Sequence, residues 1–327
     1  MNDFIPHFDF QRVFLAPWTA NNLESTAWIA LMGFLVTAAC GLVGNYLILR
    51  RMALVGDAIS HSVLPGIAIA FLLSRSRSAT AMFVGALAAG IVTTVIIEVI
   101  HHKTRVKQDS AIGIAFTTLF AIGVILVSLF AAKVDLDQEC VLYGEIAFVP
   151  LGEFTSFAGI VLGPPSVVRM AIVTLATVLL IAVFYKELLV SSFDPGLAAS
   201  LGINAVLVHY ALMCWLSVVV VSAFEAVGAI LVIAMLILPG ATASLISQRL
   251  PVIMGLTVLH AALSSVLGIH LATWLECSTA AAMVIMASTL FGAAWIFSPT
   301  DGLLRRWLRK RLAEPAVEPT VQMPQNS

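Results

Sequence analysis

The chain has 327 residues, 60 % of them hydrophobic and 11 % charged, with a formal net charge of -1 and a mean hydropathy of +1.03. Soluble domains carry about a quarter charged residues, so this composition excludes a soluble globular protein and indicates a chain built for a lipid bilayer. The balanced charge offers no nucleic acid a basic surface, and four scattered cysteines with no CxxC spacing exclude a disulfide scaffold or structural zinc.

In chain order, residues 1–25 mix polar and apolar positions without the basic-then-apolar order of a cleavable signal, and they read as an extracytoplasmic segment. A membrane helix needs about 20 apolar residues at 1.5 Å rise each. The sequence therefore predicts an all-α, polytopic membrane protein of eight or nine transmembrane helices. They fall at about 26–49, 54–73, 79–100, 111–131, 167–185, 205–223, 226–246, 252–271 and 277–297, inside a membrane domain of 26–311. The tight helical hairpin around Phe224 is where the count turns on one span. Residues 312–327, polar and Pro-rich, read as a disordered cytoplasmic tail. With the N-terminus outside, twelve Lys/Arg fall inside and five outside, so the positive-inside rule favours N-out and C-in.

Two loops exceed turns. Residues 132–166 carry Asp135, Asp137, Glu139, Glu145 and Glu153, and read either as a solvated, partly re-entrant loop or as an acidic mouth that concentrates cations. Residues 186–204 offer Ser192 or Asp194 as an N-cap, Pro195 in a first turn and Gly202 as a stop. That pattern predicts a short helix along the cytoplasmic surface, either a connector or a docking element.

The stretch "GDAISHSVLPG" (56–66) places Asp57 and His61 four apart on one face of the second span. Ionisable side chains inside a span are costly and mark ion pathways by default. A carboxylate oxygen with an imidazole nitrogen suits zinc, manganese or ferrous iron. The structural alternative is a buried Asp–His hydrogen bond that ties two spans together. Pro65-Gly66 follows directly, and the same Leu-Pro-Gly tripeptide recurs at Leu238-Pro239-Gly240 in the seventh span. A matched pair of interrupted spans points to a transport site with hinges at Pro65, Gly66, Pro239 and Gly240. His260 offers either a further metal ligand or a packing group. Glu225 reads as a cation-access residue or a headgroup-level charge. Glu98, His101, His102, His209 and Glu276 sit at span ends and read as solvated interface. No Walker A, GxSxG or HExxH pattern occurs, so the chain is not read as an enzyme, and any ATP must be hydrolysed by another subunit.

With these residues in view, "GDAISHSVLPGIAIAFLL" and "AVGAILVIAMLILPGATA" resemble the hallmark stretches of the ABC-type zinc/manganese/iron permease family. "SSFDPGLAASLGI" resembles its coupling segment, and "DLDQECVLYGEIAFVP" resembles the external loop of its manganese/zinc/iron branch. The resemblance runs from about residue 30 to 297 and departs at Gly240, where many members have alanine. It implies a multi-pass permease of a bacterial inner membrane, working as a homodimer or with a sister permease. Two ATPase subunits would engage residues 191–202 through Phe193, Asp194, Pro195, Leu197, Leu201 and Gly202. An extracytoplasmic metal-binding protein would deliver the ion, and Asp57 and His61 match the family's intramembrane metal positions. The transported divalent metal is then cargo, with no permanent cofactor. Its chief rival is a proton-coupled secondary metal transporter with Asp57–His61 as the relay. A metalloenzyme lacks a paired signature, and a metal-chelate permease would want a neutral cavity.

Overall fold

The computed structural model describes residues 6–74, 79–130, 146–151, 155–157, 160–298, 302 and 304–305. Ten helices organise them: α1 (Leu23–Leu49), α2 (Val55–Ser74), α3 (Ala79–Lys103), α4 (Gln108–Phe130), α5 (Pro165–Val183), α6 (Tyr185–Phe193), α7 (Pro195–Ser200), α8 (Ala205–Ile246), α9 (Leu250–Leu275) and α10 (Thr279–Phe297). Among the described residues eight helices are long and apolar enough to cross a bilayer; α8 supplies one, Ala205–Phe224, followed by a shorter apolar helix, Leu231–Ile246.

The two halves of α8 meet at Gly228, whose φ of 77° and ψ of 166° are open to glycine and closed to most other residues. Val220 and Leu236 would stand about 24 Å apart along one uninterrupted helix. Instead both flank the same point on α2: a methyl group on Gly56 would meet Leu236 Cδ2 at 2.2 Å and Val220 Cγ2 at 4.0 Å. The chain turns back here, one helical turn past Phe224, and the return limb is the ninth, shorter apolar segment.

α1 and the return limb of α8 form the centre of the bundle. Tyr46, Leu47, Met32, Leu231, Met235 and Leu236 are fully buried there, and α1 is apolar on every side, as a helix enclosed by others must be. α4 lies at the periphery with Ile122, Ile125 and Leu129 exposed. Close packing between α2 and α3 rests on Gly66 and Gly85, since a methyl group on either would overlap the other's carbonyl oxygen.

The N-terminal segment is tied down. Pro6 O accepts from Trp274 Nε1 at 3.2 Å, His270 Nδ1 lies 2.9 Å from Val13 O, and Arg12 pairs with Glu276 at the end of α9. At the other end of the bundle Ser298 Oγ donates to Leu245 O at 2.5 Å, joining the ends of α8 and α10. The N-terminal segment and the end of α10 thus lie on opposite faces.

The loop at 132–166 differs from a purely solvated one. A 3-10 turn (Ile146–Leu151) buries Ile146 and Val149 against α1, and a two-stranded antiparallel hairpin, β1 (Thr155–Phe157) and β2 (Ile160–Gly163), lays Gly163 against the Trp28 ring. Asp135, Asp137, Glu139, Glu145 and Glu153, and with them the acidic-mouth reading, lie outside the described residues, as do residues 306–327.

Candidate functional site

α2 opens two residues before Asp57, so this carboxylate occupies the first turn, where the unpaired N–H groups and the helix dipole favour an anion. One turn on, His61 Nε2 lies 3.3 Å from Asp57 Oδ1, and both side chains are 34 % exposed. The imidazole packs against two aromatic rings of α4, with centroids 5.9 Å from Phe116 and 6.1 Å from Phe120. Their neighbours turn away from the site. Ser60 Oγ donates to Gly56 O at 3.0 Å and Ser62 Oγ to Ala58 O at 2.7 Å, while Thr93 Oγ1 lies 2.6 Å from Ser62 Oγ. Asp57 and His61 are thus neither sealed in the core nor spent on a second helix. The pair contacts itself and remains open on one side.

The interruption expected at Pro65-Gly66 is not present as a break: α2 stays helical from Val55 to Ser74. Proline still removes the N–H that the His61 carbonyl would accept, so this turn holds one bond fewer. Packing keeps the turn closed, because Gly123 of α4 lies directly on the Pro65 ring. The return limb of α8 likewise runs helically through Pro239-Gly240, and its non-helical residue is Gly228. Gly41 abuts Pro239, and a methyl group on Gly240 would meet Asn45 Oδ1 at 2.5 Å. That asparagine is buried and donates through Nδ2 to Thr257 Oγ1 at 3.1 Å.

His260 does not join Asp57 and His61. It is buried on α9 facing α10, with Nε2 3.3 Å from Ala287 O and Nδ1 without a hydrogen-bond partner among the described residues. Among those residues no three His, Cys, Asp or Glu side chains converge as a metal site. Glu225 lies in the outgoing limb of α8, three residues before Gly228, and its side chain is outside the described set.

The coupling residues form a compact exposed motif. Asp194 caps α7 by accepting from the N–H groups of Gly196 at 2.9 Å and Leu197 at 3.0 Å; Pro195 opens the helix, and Gly202 follows it with φ +79°. Ala198 is buried, whereas Phe193, Leu197 and Leu201 stand exposed. The preceding helix α6 occupies the first part of the stretch that reads as a loop at 186–204, where the sequence marks only the later helix start at Ser192 or Asp194.

The largest correction concerns Glu98. It is not solvated interface but buried, with 3 % exposure. Glu98 Oε1 lies 2.5 Å from His209 Nε2 and Oε2 lies 3.0 Å from His102 Nε2. The other nitrogen of His209, Nδ1, faces Arg50 Nη1 at 2.9 Å. Arg50 Nε and Nη2 donate to Ser192 Oγ at 3.0 Å and Ser191 Oγ at 2.9 Å. Burial pulls the Arg50 guanidinium below its usual pKa, opposed by Glu98 and Tyr46. The i, i+4 spacing of Glu98 and His102 was the local signal; the decisive partner, His209, lies 111 residues away in sequence. Glu276, by contrast, is the exposed ion-pairing residue its position suggests.

This arrangement has relatives. Residues 22–298 match the model of the ABC 3 transport family. The manganese transport system membrane protein MntD of Bacillus subtilis (strain 168) is 47 % identical, over 86 % of this chain and 95 % of its own length. The zinc transport system membrane protein TroD of Treponema pallidum (strain Nichols) is 44 % identical, over 88 % and 77 %. Among solved structures, PsaBC from Streptococcus pneumoniae in complex with Fab superposes with a TM-score of 0.70 at 33 % identity, covering 87 % of this chain and 94 % of that one. The chain belongs to the ABC 3 transport family and is a multi-pass membrane permease of its metal-transporting members.

Proposed function

We propose that this permease imports a divalent cation (manganese, zinc or ferrous iron) across a bacterial cytoplasmic membrane, with Asp57 and His61 as the ligands it passes. The observation carrying this reading is the pair itself, a carboxylate and an imidazole 3.3 Å apart and part-exposed on an apolar helix. A hard anionic oxygen beside an imidazole nitrogen replaces part of a hydration shell without the soft sulfur that selects Cu(I). Such ions take about four to six ligands, and one chain supplies two side chains here. The remaining positions fall to water and to a second permease, identical or a sister chain. A site so sparsely furnished accepts an ion and still lets it go. The transport named for MntD and for TroD puts manganese and zinc first among the candidates.

The drive comes from a separate ATPase that seats on Phe193, Leu197 and Leu201, the apolar side chains exposed around the Asp194-capped turn. The excess of Lys/Arg at the Arg50 end makes that face cytoplasmic, leaving the N-terminal segment outside, where a metal-binding protein delivers the ion. Glu225 stands near the outer turn as an access carboxylate. Pro65-Gly66 and Pro239-Gly240, each one hydrogen bond short, are the turns about which spans flex.

The competing relay, in which Asp57 and His61 pass protons instead, takes its support from their direct contact. The two readings separate in proteoliposomes that hold the permease with its ATPase and are supplied with manganese(II). Uptake that requires ATP and survives a protonophore is expected. Uptake that persists without ATP and collapses with the protonophore overturns the ATP-driven reading.

A further inference from the structure

The hydrogen-bonded chain Ser191/Ser192–Arg50–His209–Glu98–His102, buried at Glu98 and part-buried at Arg50 and His209, joins elements that the import cycle has to move together. Its hydrogen-bond polarity is fixed by chemistry. Arginine offers only donors, so His209 Nδ1 must accept from Arg50 Nη1 at 2.9 Å. The ring proton therefore sits on Nε2 and is donated to Glu98 Oε1 at 2.5 Å. One imidazole thus bridges a part-buried guanidinium and a buried carboxylate, and each ring nitrogen has one role. At its other end the Arg50 fork reaches α6: Nε and Nη2 donate to Ser192 and Ser191, and Ser192 Oγ lies 2.6 Å from Leu188 O, the backbone of α6.

The elements joined are informative. Ser191 and Ser192 lie on α6, directly before the Asp194-capped turn that exposes Phe193 and Leu197. Arg50 caps α1 and opens the turn into α2, where Arg51 adopts a left-handed φ of 59° and Asp57 follows in the first helical turn. His209 stands on the outgoing limb of α8, and Glu98 on α3. Thr93 opposite Ser62, and Gly85 opposite Gly66, set α2 and α3 antiparallel. Asp57 and Glu98 each lie about one and a half turns toward the same end from that contact, so they stand at one level of the bundle.

We infer that Arg50, His209 and Glu98 are positioning residues that carry displacement of the coupling segment α6–α7 into α2, α3 and α8, and so link ATP hydrolysis to ion movement. The inference rests on the ATP-driven reading above. An apolar contact would slide under such a load, whereas this chain is directional, and breaking it at His209 leaves Oε1 of a buried carboxylate without its partner. Movement of α6 is therefore felt at the α2 turn and at α3 together.

The test uses the full permease with its co-purifying ATPase in proteoliposomes, reading manganese(II) transported per ATP hydrolysed. His209→Leu removes both ring functions. It is expected to keep ATPase association and hydrolysis while the transport ratio falls by about tenfold or more, the size of an ordinary coupling between sites. His209→Gln keeps an acceptor for Arg50 and a donor for Glu98 at similar spacing, and is expected to restore most of the ratio. A wild-type ratio in His209→Leu overturns the inference, as does a folded, assembled His209→Gln as uncoupled as the leucine variant. If His209→Leu does not assemble, Arg50→Lys decides. A single ammonium cannot hold His209 and both serines as the fork does, so a lowered ratio is expected, and an unchanged one overturns the inference. A wild-type complex without ATP-dependent uptake would instead overturn the functional reading on which this one stands.

Discussion

Asn45 is a buried amide one turn before the end of an apolar helix, and its two ends do different things. Nδ2 donates to Thr257 Oγ1 at 3.1 Å, linking α1 to α9, while Oδ1 occupies the space a side chain at position 240 would need. The alanine that many family members carry at this position would put a methyl group 2.5 Å from that oxygen. Gly240→Ala is therefore expected to displace the amide and cost about 1–3 kcal/mol, through overpacking and a strained buried hydrogen bond. A lower Tm of the purified chain in detergent checks this; an unchanged Tm would mean that the amide turns aside freely. Asp57 and His61 were legible in the sequence because their relation is local, four residues on one helix. Glu98 was not. Its position at a span end suggested water, and what holds it is His209, 111 residues along the chain and backed in turn by Arg50. A chain read in one dimension shows spacing within a helix but not which distant helix covers it.

At the scale of elements, α7 shows sequence and structure in agreement. Asp194-Pro195 predicts a capped helix start, and the carboxylate accepts from two N–H groups of the first turn. Since Ala198 is buried and Leu197 exposed, the helix has an anchored side and a free side. Leu197→Asp should leave the fold intact, because the new charge meets solvent, and should abolish co-purification with the ATPase; undiminished co-purification would remove α7 from the docking surface. Two other elements came out differently for physical reasons. Pro65-Gly66 reads as a break, yet α2 continues because Gly123 packs on the proline ring and Gly66 nests against Gly85. The reversal between the sixth and seventh apolar runs falls at Gly228, one turn past Phe224, because only glycine there tolerates φ 77°. Hydropathy shows that two limbs exist but does not mark the residue at which the backbone turns.

For the whole molecule, the polar and charged groups divide by face. Arg12 and Glu276 pair at the N-terminal face, while Arg50, Glu98, His102, His209 and the exposed α6–α7 turn gather at the other. Asp57 stands at the level of Glu98 on this second side and His61 one turn further in, both part-exposed on α2, beside a bundle whose centre is apolar and closed. This arrangement fits a chain that receives a force at one face and handles an ion within the bundle. The most direct test is uptake of labelled manganese(II) by cells whose only copy of the permease carries Asp57→Ala or His61→Ala, with membrane insertion checked in parallel. The account predicts that inserted variants lose uptake to background. Normal uptake by an inserted variant would contradict it.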